Sequence, residues 1–222
     1  LTGLDSDLNV SFYDAVFSGI ELLANNDKSN PSSLVLTAAQ ADGKDIVLDC
    51  SVTVINLEAD TDLSGLDVSG DPDAVVIATV SAAVDVTHNG TLLGKVTQYE
   101  LDNGADLTLT PAQAADATFV LADGAAPDVT VSGEATLAQM QQIAANFDDA
   151  GLAVPTITIA DSVLNLYADG EWSDSLSNGV EVVLTSNIST ELYNSLATRL
   201  GNTPTDNYLS FAMTTFLAFG IT

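Results

Sequence analysis

Residues 34–48 read LVLTAAQADGKDIVL, and residues 107–121 read LTLTPAQAADATFVL. Eight of the fifteen positions are identical. An internal repeat of this kind constrains a fold strongly, because each copy must be one structural unit that buries its apolar face against neighbours. LVL and LTL alternate large apolar residues with the period of a half-buried strand. Thr37-Ala-Ala-Gln40 and Thr110-Pro-Ala-Gln113 then match the capping box, in which the Thr side chain takes a backbone N–H and the Gln side chain reaches back. Pro111 falls at the first helical position, where its missing N–H costs nothing. Ile46-Val47-Leu48 and Phe119-Val120-Leu121 predict further strands. SVTVI (51–55) and DVTVS (128–132) predict another in each copy, the second copy having gained four residues before its Val-Thr-Val. The unit is strand, capped helical turn, strand, turn, strand.

The remaining chain reads more coarsely. Ser11 to Asn25 has the spacing of an amphipathic helix, with Phe12, Val16, Ile20 and Leu23 on its inner face. Residues 74–86 predict one or two strands and 91–101 another, with His88-Asn89-Gly90 as a hairpin turn between them. A third Thr-x-x-Gln box, Thr136 to Gln139, heads a helix with Leu137, Met140, Ala144 and Phe147 inward, ended by Gly151 in the left-handed conformation. Strands follow at 156–160 and 179–185, with a short turn or helix after Asp161. Thr190 to Leu200 predicts a helix ended by Gly201. The apolar tail YLSFAMTTFLAFGIT fits either a strand or a buried helix. The fold class is therefore mainly β with a few short helices. The unequal repeat copies favour β-sandwich-like lobes, with a β-solenoid as the alternative. The start of the second copy suggests a division into a β-rich lobe at 1–105, with the N-terminal helix, and a second at 106–222, with helices near 136–150 and 190–200. A single domain is the other reading.

Charge bounds the partners. Thirty-one Asp and Glu oppose four Lys and Arg in 222 residues, for a net charge of −27. Such a surface repels phosphate backbones and anionic lipid, which argues against nucleic acid as a direct partner. It tolerates salt, and divalent cations would relieve its self-repulsion. No apolar run reaches the length of roughly 18 residues that a membrane span needs. The lone cysteine, Cys50, excludes an intrachain disulfide and reads as a core thiol. The opening LTGLDSDLNV has no basic leader region, which fits a mature secreted product or a piece of something longer.

Few residues suggest catalysis. His88 is the only histidine, and no nucleophile elbow accompanies it. Carboxylate pairs are plentiful, but with so many acids any pair arises by chance, and Trp172 is the single Trp available as a sugar platform. The chain reads as a non-enzyme. The densest acidic stretch, EADTDLSGLDVSGDPD (58–73), offers Asp60, Asp62, Asp67, Asp71 and Asp73 as hard oxygen ligands for calcium, without EF-hand or Gly-Asp nonapeptide spacing. A solvated acidic loop is the competing account. Asn9, Asn89 and Asn187 head glycosylation sequons, while Asn30 is excluded by the Pro after it. Phe211, Phe216 and Phe219 need cover, from this chain's own core or from a neighbouring subunit.

LTLTPAQA, DVTVSGEATLAQMQQIAANF and ITIADSVLNLYA resemble units of acidic, repeat-rich secreted proteins of microbial surfaces, a group that includes S-layer proteins and RTX-type adhesins. The resemblance covers 34–56 and 107–168. It implies a β-dominated, frequently calcium-dependent protein of the cell surface or extracellular space. No functional residue transfers with it, since the Gly-Asp nonapeptide is missing. The expected role is a structural protein that assembles with copies of itself into a layer, sheath or filament. An adhesin module or virion surface protein that binds carbohydrate is the alternative.

Overall fold

The computed structural model describes residues 33–48, 50–68, 72–88, 90, 93, 95–176 and 180–201, together with the backbone of strands at 8–9, 22–25 and 209–211. In chain order the elements are β1 (Leu8–Asn9), β2 (Leu22–Asn25), β3 (Leu34–Thr37), α1 (Ala38–Ala41), β4 (Asp45–Leu48), β5 (Val52–Ile55), β6 (Leu66–Asp67), β7 (Val76–Val80), β8 (Ala83–Asp85), β9 (Gln98–Leu101) and β10 (Asp106–Leu109). They continue with α2 (Pro111–Asp116), β11 (Thr118–Leu121), β12 (Asp128–Val131), β13 (Glu134–Ala135), α3 (Leu137–Ala150), β14 (Thr158–Asp161), α4 (Val163–Leu166), β15 (Tyr167–Ala168), β16 (Glu171–Trp172), β17 (Val182–Leu184), α5 (Thr190–Arg199) and β18 (Leu209–Phe211). The chain is mainly β with a few short helices, as its sequence predicts.

Within that class every described strand pairing except β15 with β16 is parallel, which is the solenoid alternative rather than sandwich-like lobes. A spine sheet has the order β1-β3-β5-β7-β9-β11, so every second strand returns to it one place further on. The intervening strands form two shorter parallel sheets, β2-β4-β6 and β12-β10-β8. Unequal copies do not prevent stacking. The spine partners Leu34 and Val52, Val52 and Val76, Ile77 and Gln98, and Gln98 and Thr118 lie 18, 24, 21 and 20 residues apart. The surplus residues go into corner loops while the ladder register is kept.

In-register stacking turns the two-residue alternation of each strand into columns of like residues. Leu36, Val54, Ala78, Tyr99 and Phe119 are successive ladder partners, and all are buried. Leu34, Val52 and Val76 make a second inner column, and Val84, Leu107 and Val129 make one on the flanking sheet. The small Ala78 lies beside the large Tyr99, so column volume is balanced between neighbouring coils. Tyr99 stacks on Phe119 at 6.2 Å between ring centroids, and Phe119 meets Phe147 edge-on at 5.0 Å. Phe147 comes from α3. That helix lays the buried Ile143 and Phe147 against the first core. Its Asn146 Nδ2 donates to the carbonyls of Ala114 and Ala115 near the end of α2. It therefore packs across the end of the spine beside β11, whose backbone edge has no further strand among the described residues.

After this helix a second parallel stack begins, β13-β14-β17-β18, with helical crossovers. It has its own apolar cluster of Leu137, Ile159, Val163, Leu166, Trp172, Leu176, Val182, Leu184, Leu196 and Leu200. The first cluster runs from Leu34 to Ile157 and contains Ala105 and Leu107, on either side of the 105/106 division suggested by the repeat.

All three Thr/Gln capping boxes form, at Thr37, Thr110 and Thr136. Gly151 ends α3 at φ 73° and Gly201 follows α5 at φ 74°. The inward face of α3 differs by one position, with Ile143 buried where Ala144 was expected. Two expectations need correction. Residues 22–25 are strand β2, paired in parallel with β4, so the helix expected over 11–25 does not extend there; 11–21 lie outside the described residues. No hairpin turns at His88: β8 pairs with β10 in parallel, and the next strand, β9, joins the spine. The parallel ladder offers Val84 a buried column that a hairpin would not.

Phe147→Ala should lower stability by about 3–5 kcal/mol in urea unfolding, the usual cost of truncating a buried aromatic. Val120→Ala, on the outer face of the same sheet, should change it by less than about 0.5 kcal/mol.

Candidate functional site

The acidic stretch at 58–73 forms the connection from β5 through β6 to β7. It is tied down by apolar residues: Leu57, Leu63 and Leu66 are buried, as is Thr61. One of its carboxylates, that of Asp62, serves a local turn. Asp62 accepts from the Ser64 hydroxyl at 2.6 Å and the Ser64 N–H at 3.0 Å. These bonds, the hydroxyl's first, hold its pKa below the ordinary carboxylate value. The Asp62 N–H donates to the Asp42 carboxylate of the preceding coil at 2.7 Å, and its carbonyl accepts from the Gly43 N–H. Gly65 packs so closely on that coil that a Cβ would overlap the Lys44 carbonyl. Asp85 repeats the same turn one corner later, accepting from the Thr87 hydroxyl at 2.7 Å and its N–H at 2.9 Å. Its pKa is lowered for the same reason.

Of the calcium candidates, Asp60 and Asp73 are exposed, Asp62 and Asp67 are half-buried, and Asp71 lies outside the described residues. Among the described residues no group of three His, Cys, Asp or Glu side chains is placed to hold a metal ion. Asn187 is exposed in the bend after β17; Asn9 lies on β1, and Asn89 is outside the described residues. Phe211 ends β18, while Phe216 and Phe219 lie outside them. Cys50 is buried, and His88 is exposed. Among the described residues, no helix is long and apolar enough to cross a membrane.

Trp172 is not a surface platform. It is 8% exposed, its indole N–H donates to Ser195 Oγ at 3.0 Å, and Tyr167 packs edge-on against it at 4.8 Å. The pair is brought together by a hairpin of β15 and β16 whose two turn residues, Asp169 and Gly170, both have positive φ, at 55° and 87°. An Asp-Gly turn of this kind is a standard hairpin signal. The sequence carries that signal in YADGEW, although its apolar pattern gives only a turn or short helix after Asp161.

Asp161 is the other group that the sequence reading passed over. It is only 7% exposed, at the end of β14. Its Oδ2 accepts from the Leu137 N–H at 3.0 Å, and its Oδ1 accepts from the Ser162 N–H and the Asn165 amide, each at 2.7 Å. One carboxylate thus holds the first turn of α3 and the entry to α4 together. Burial raises its pKa, but the three hydrogen bonds, Leu137's the largest of them, outweigh burial and leave it below the ordinary value. This is a structural role.

A groove of about 540 Å³ opens over the C-terminal ends of β5, β7, β9 and β11. It is lined by Ile55, Asn56, Thr79, Glu100, Asp102 and Val120, with Leu101, Leu121 and Ala122. Thr79, Glu100 and Val120 are successive ladder partners, so their side chains form one outward row, neighbours about 4.8 Å apart. Asn56 sits at φ 55°, one of two described non-glycine residues with positive φ. Asn accepts this conformation more readily than most residues. Its backbone N–H donates to Thr79 Oγ1 and its Oδ1 accepts from the Ser81 hydroxyl, both at 3.0 Å. Gln98 Nε2 donates to the Glu100 carboxylate at 3.3 Å. Sequence patterning places these residues on an outer face but gives no sign that a groove forms there.

Comparison of the chain with protein-family models, with curated proteins and with solved structures returned no match.

Asp161→Asn should be less stable than the parent at pH 7 by about 1.5–3 kcal/mol, the range for hydrogen bonds to a charged group. The folded carboxyl has a lowered pKa, so its contribution is complete above the unfolded value near 3.9 and is lost as pH falls through the folded value. Urea titrations from pH 7 to pH 2 should therefore show the two proteins converging in acid. A constant gap down to pH 2 would contradict this account.

Proposed function

We propose that this chain is a non-enzymatic structural module of a secreted or cell-surface protein, working in assemblies with copies of itself. The observation that carries the reading is the parallel stack of coils in one register. Such a stack is quasi-one-dimensional: each coil is stabilised by the coils on either side. A molecule built this way is a natural spacer or filament unit, since strand ladders extend by addition of further strands. The distribution of charge supports the same reading. Apolar side chains fill the inner columns, while Asp62 and Asp85 sit at corners in hydrogen-bonded turns. A net charge of −27 makes contact between copies depend on screening, so calcium or another divalent cation is the proposed counter-ion. Glu58, Asp60 and Asp73 are exposed carboxylates of the acidic stretch that would meet it first.

A second reading, a module that binds carbohydrate, is favoured by the groove over the spine sheet, which is open and lined by both polar and aliphatic side chains.

Size-exclusion chromatography and negative-stain imaging, with calcium and with a chelator, test the main proposal. Ordered multimers are expected with calcium, shrinking on chelation or at low salt. A discrete monomer in every condition would remove the assembly reading.

A further inference from the structure

We infer that the groove over the spine sheet is a binding site for a neutral oligosaccharide, with Asn56 and Glu100 as its principal recognition groups. This rests on the carbohydrate reading above and names its site and ligand class. The volume, about 540 Å³, is that of an ordinary small-ligand site. The argument turns on how donors and acceptors are arranged in it.

Asn56 is held at both ends. Its N–H is taken by Thr79 Oγ1 and its side-chain oxygen is occupied by the Ser81 hydroxyl. The Asn56 Nδ2 is left as a donor on the groove wall with no acceptor among the described residues. Thr79 Oγ1, already accepting, is left to donate its own hydrogen. Glu100, in register with Thr79 on the next strand, and Asp102 supply acceptors. Two donors, on and beside β5 and β7, thus face two acceptors on and beside β9, with neighbouring strands about 4.8 Å apart. A sugar hydroxyl both donates and accepts, so a row of hydroxyls uses both sets. A cation would use the carboxylates and leave the Asn56 amide without a partner. An anion would meet the charges of Glu100 and Asp102. The aliphatic side chains of Ile55 and Val120 flank the row and offer dry surface to the C–H faces of a sugar ring. The pre-set Asn56 lowers the ordering cost of binding. The openness of the groove and the lack of an aromatic platform point to weak affinity.

Saturation-transfer NMR and calorimetry with cellotetraose, xylotetraose, mannotetraose and N-acetylchitotetraose are the direct test, with tetragalacturonate and tetralysine as charged probes. At least one neutral tetrasaccharide should bind with a dissociation constant of about 0.1–1 mM, and tetragalacturonate should not. Asn56→Asp keeps the shape, the tolerance of positive φ and the bond from Ser81, but replaces the amide donor with an acceptor. Glu100→Gln keeps the length and the acceptor for Gln98. Each should weaken binding by about tenfold or more, with unchanged circular dichroism and urea midpoint, whereas Asp169→Asn in the β15–β16 turn of the second stack should have no effect. A tetrasaccharide bound equally by parent and both variants would overturn the groove assignment and leave the carbohydrate reading standing at another surface. No neutral sugar bound at about 10 mM, or a response to tetralysine alone, would overturn both.

Discussion

Parallel register is the constraint on which the structure depends. Once two coils pair with matching alternation, every inward position of one is set over an inward position of the next. The column from Leu36 through Val54, Ala78 and Tyr99 to Phe119 is its direct expression. Slipping any strand by one residue would turn its apolar set outward and bring Thr53, Thr79 or Glu100 into the core. The ladder also permits the irregularity of the sequence. Coils of 18 to 24 residues coexist because length is absorbed at corners, where Asx turns at Asp62 and Asp85 and the capping boxes close the backbone's hydrogen bonds.

The same unit serves two different corners. In the first copy of the repeat, the strand before the capping box belongs to the spine and the strand after it to a flanking sheet. In the second copy the order is reversed: β10 is on the flank and β11 on the spine. A strand, a Thr-capped turn and a strand make a right corner wherever the two flanking strands find ladders. Gln113 donates through Nε2 to the Val86 carbonyl at 2.9 Å, which ties the second corner to the coil below it.

The acid that dominates the composition has little to do with the core. Among the described residues, Asp62 and Asp85 stabilise turns, Glu100 and Glu181 accept from side chains on the sheet surface, and Asp174 pairs with Arg199. Asp161 is the exception, and it is buried because it gathers three donors from two helix starts. Charge therefore governs how the molecule meets its surroundings, through screening and counter-ions, while burial and register govern its shape.

The strands of the repeat, the three capping boxes, the glycine stops of α3 and α5 and the mainly β class were all legible in the residues, because each depends on contacts within a few positions. The pairing of strands was not. A parallel ladder joins residues some twenty positions apart, and alternation looks the same whether the partner is parallel or antiparallel, so His88-Asn89-Gly90 read as a hairpin although β8 and β9 part to different sheets. The groove was invisible for the same reason: Asn56, Thr79, Glu100 and Val120 come from four coils, and only stacking sets them side by side. Local chemistry determined the elements, and the long-range ladder alone decided what they surround.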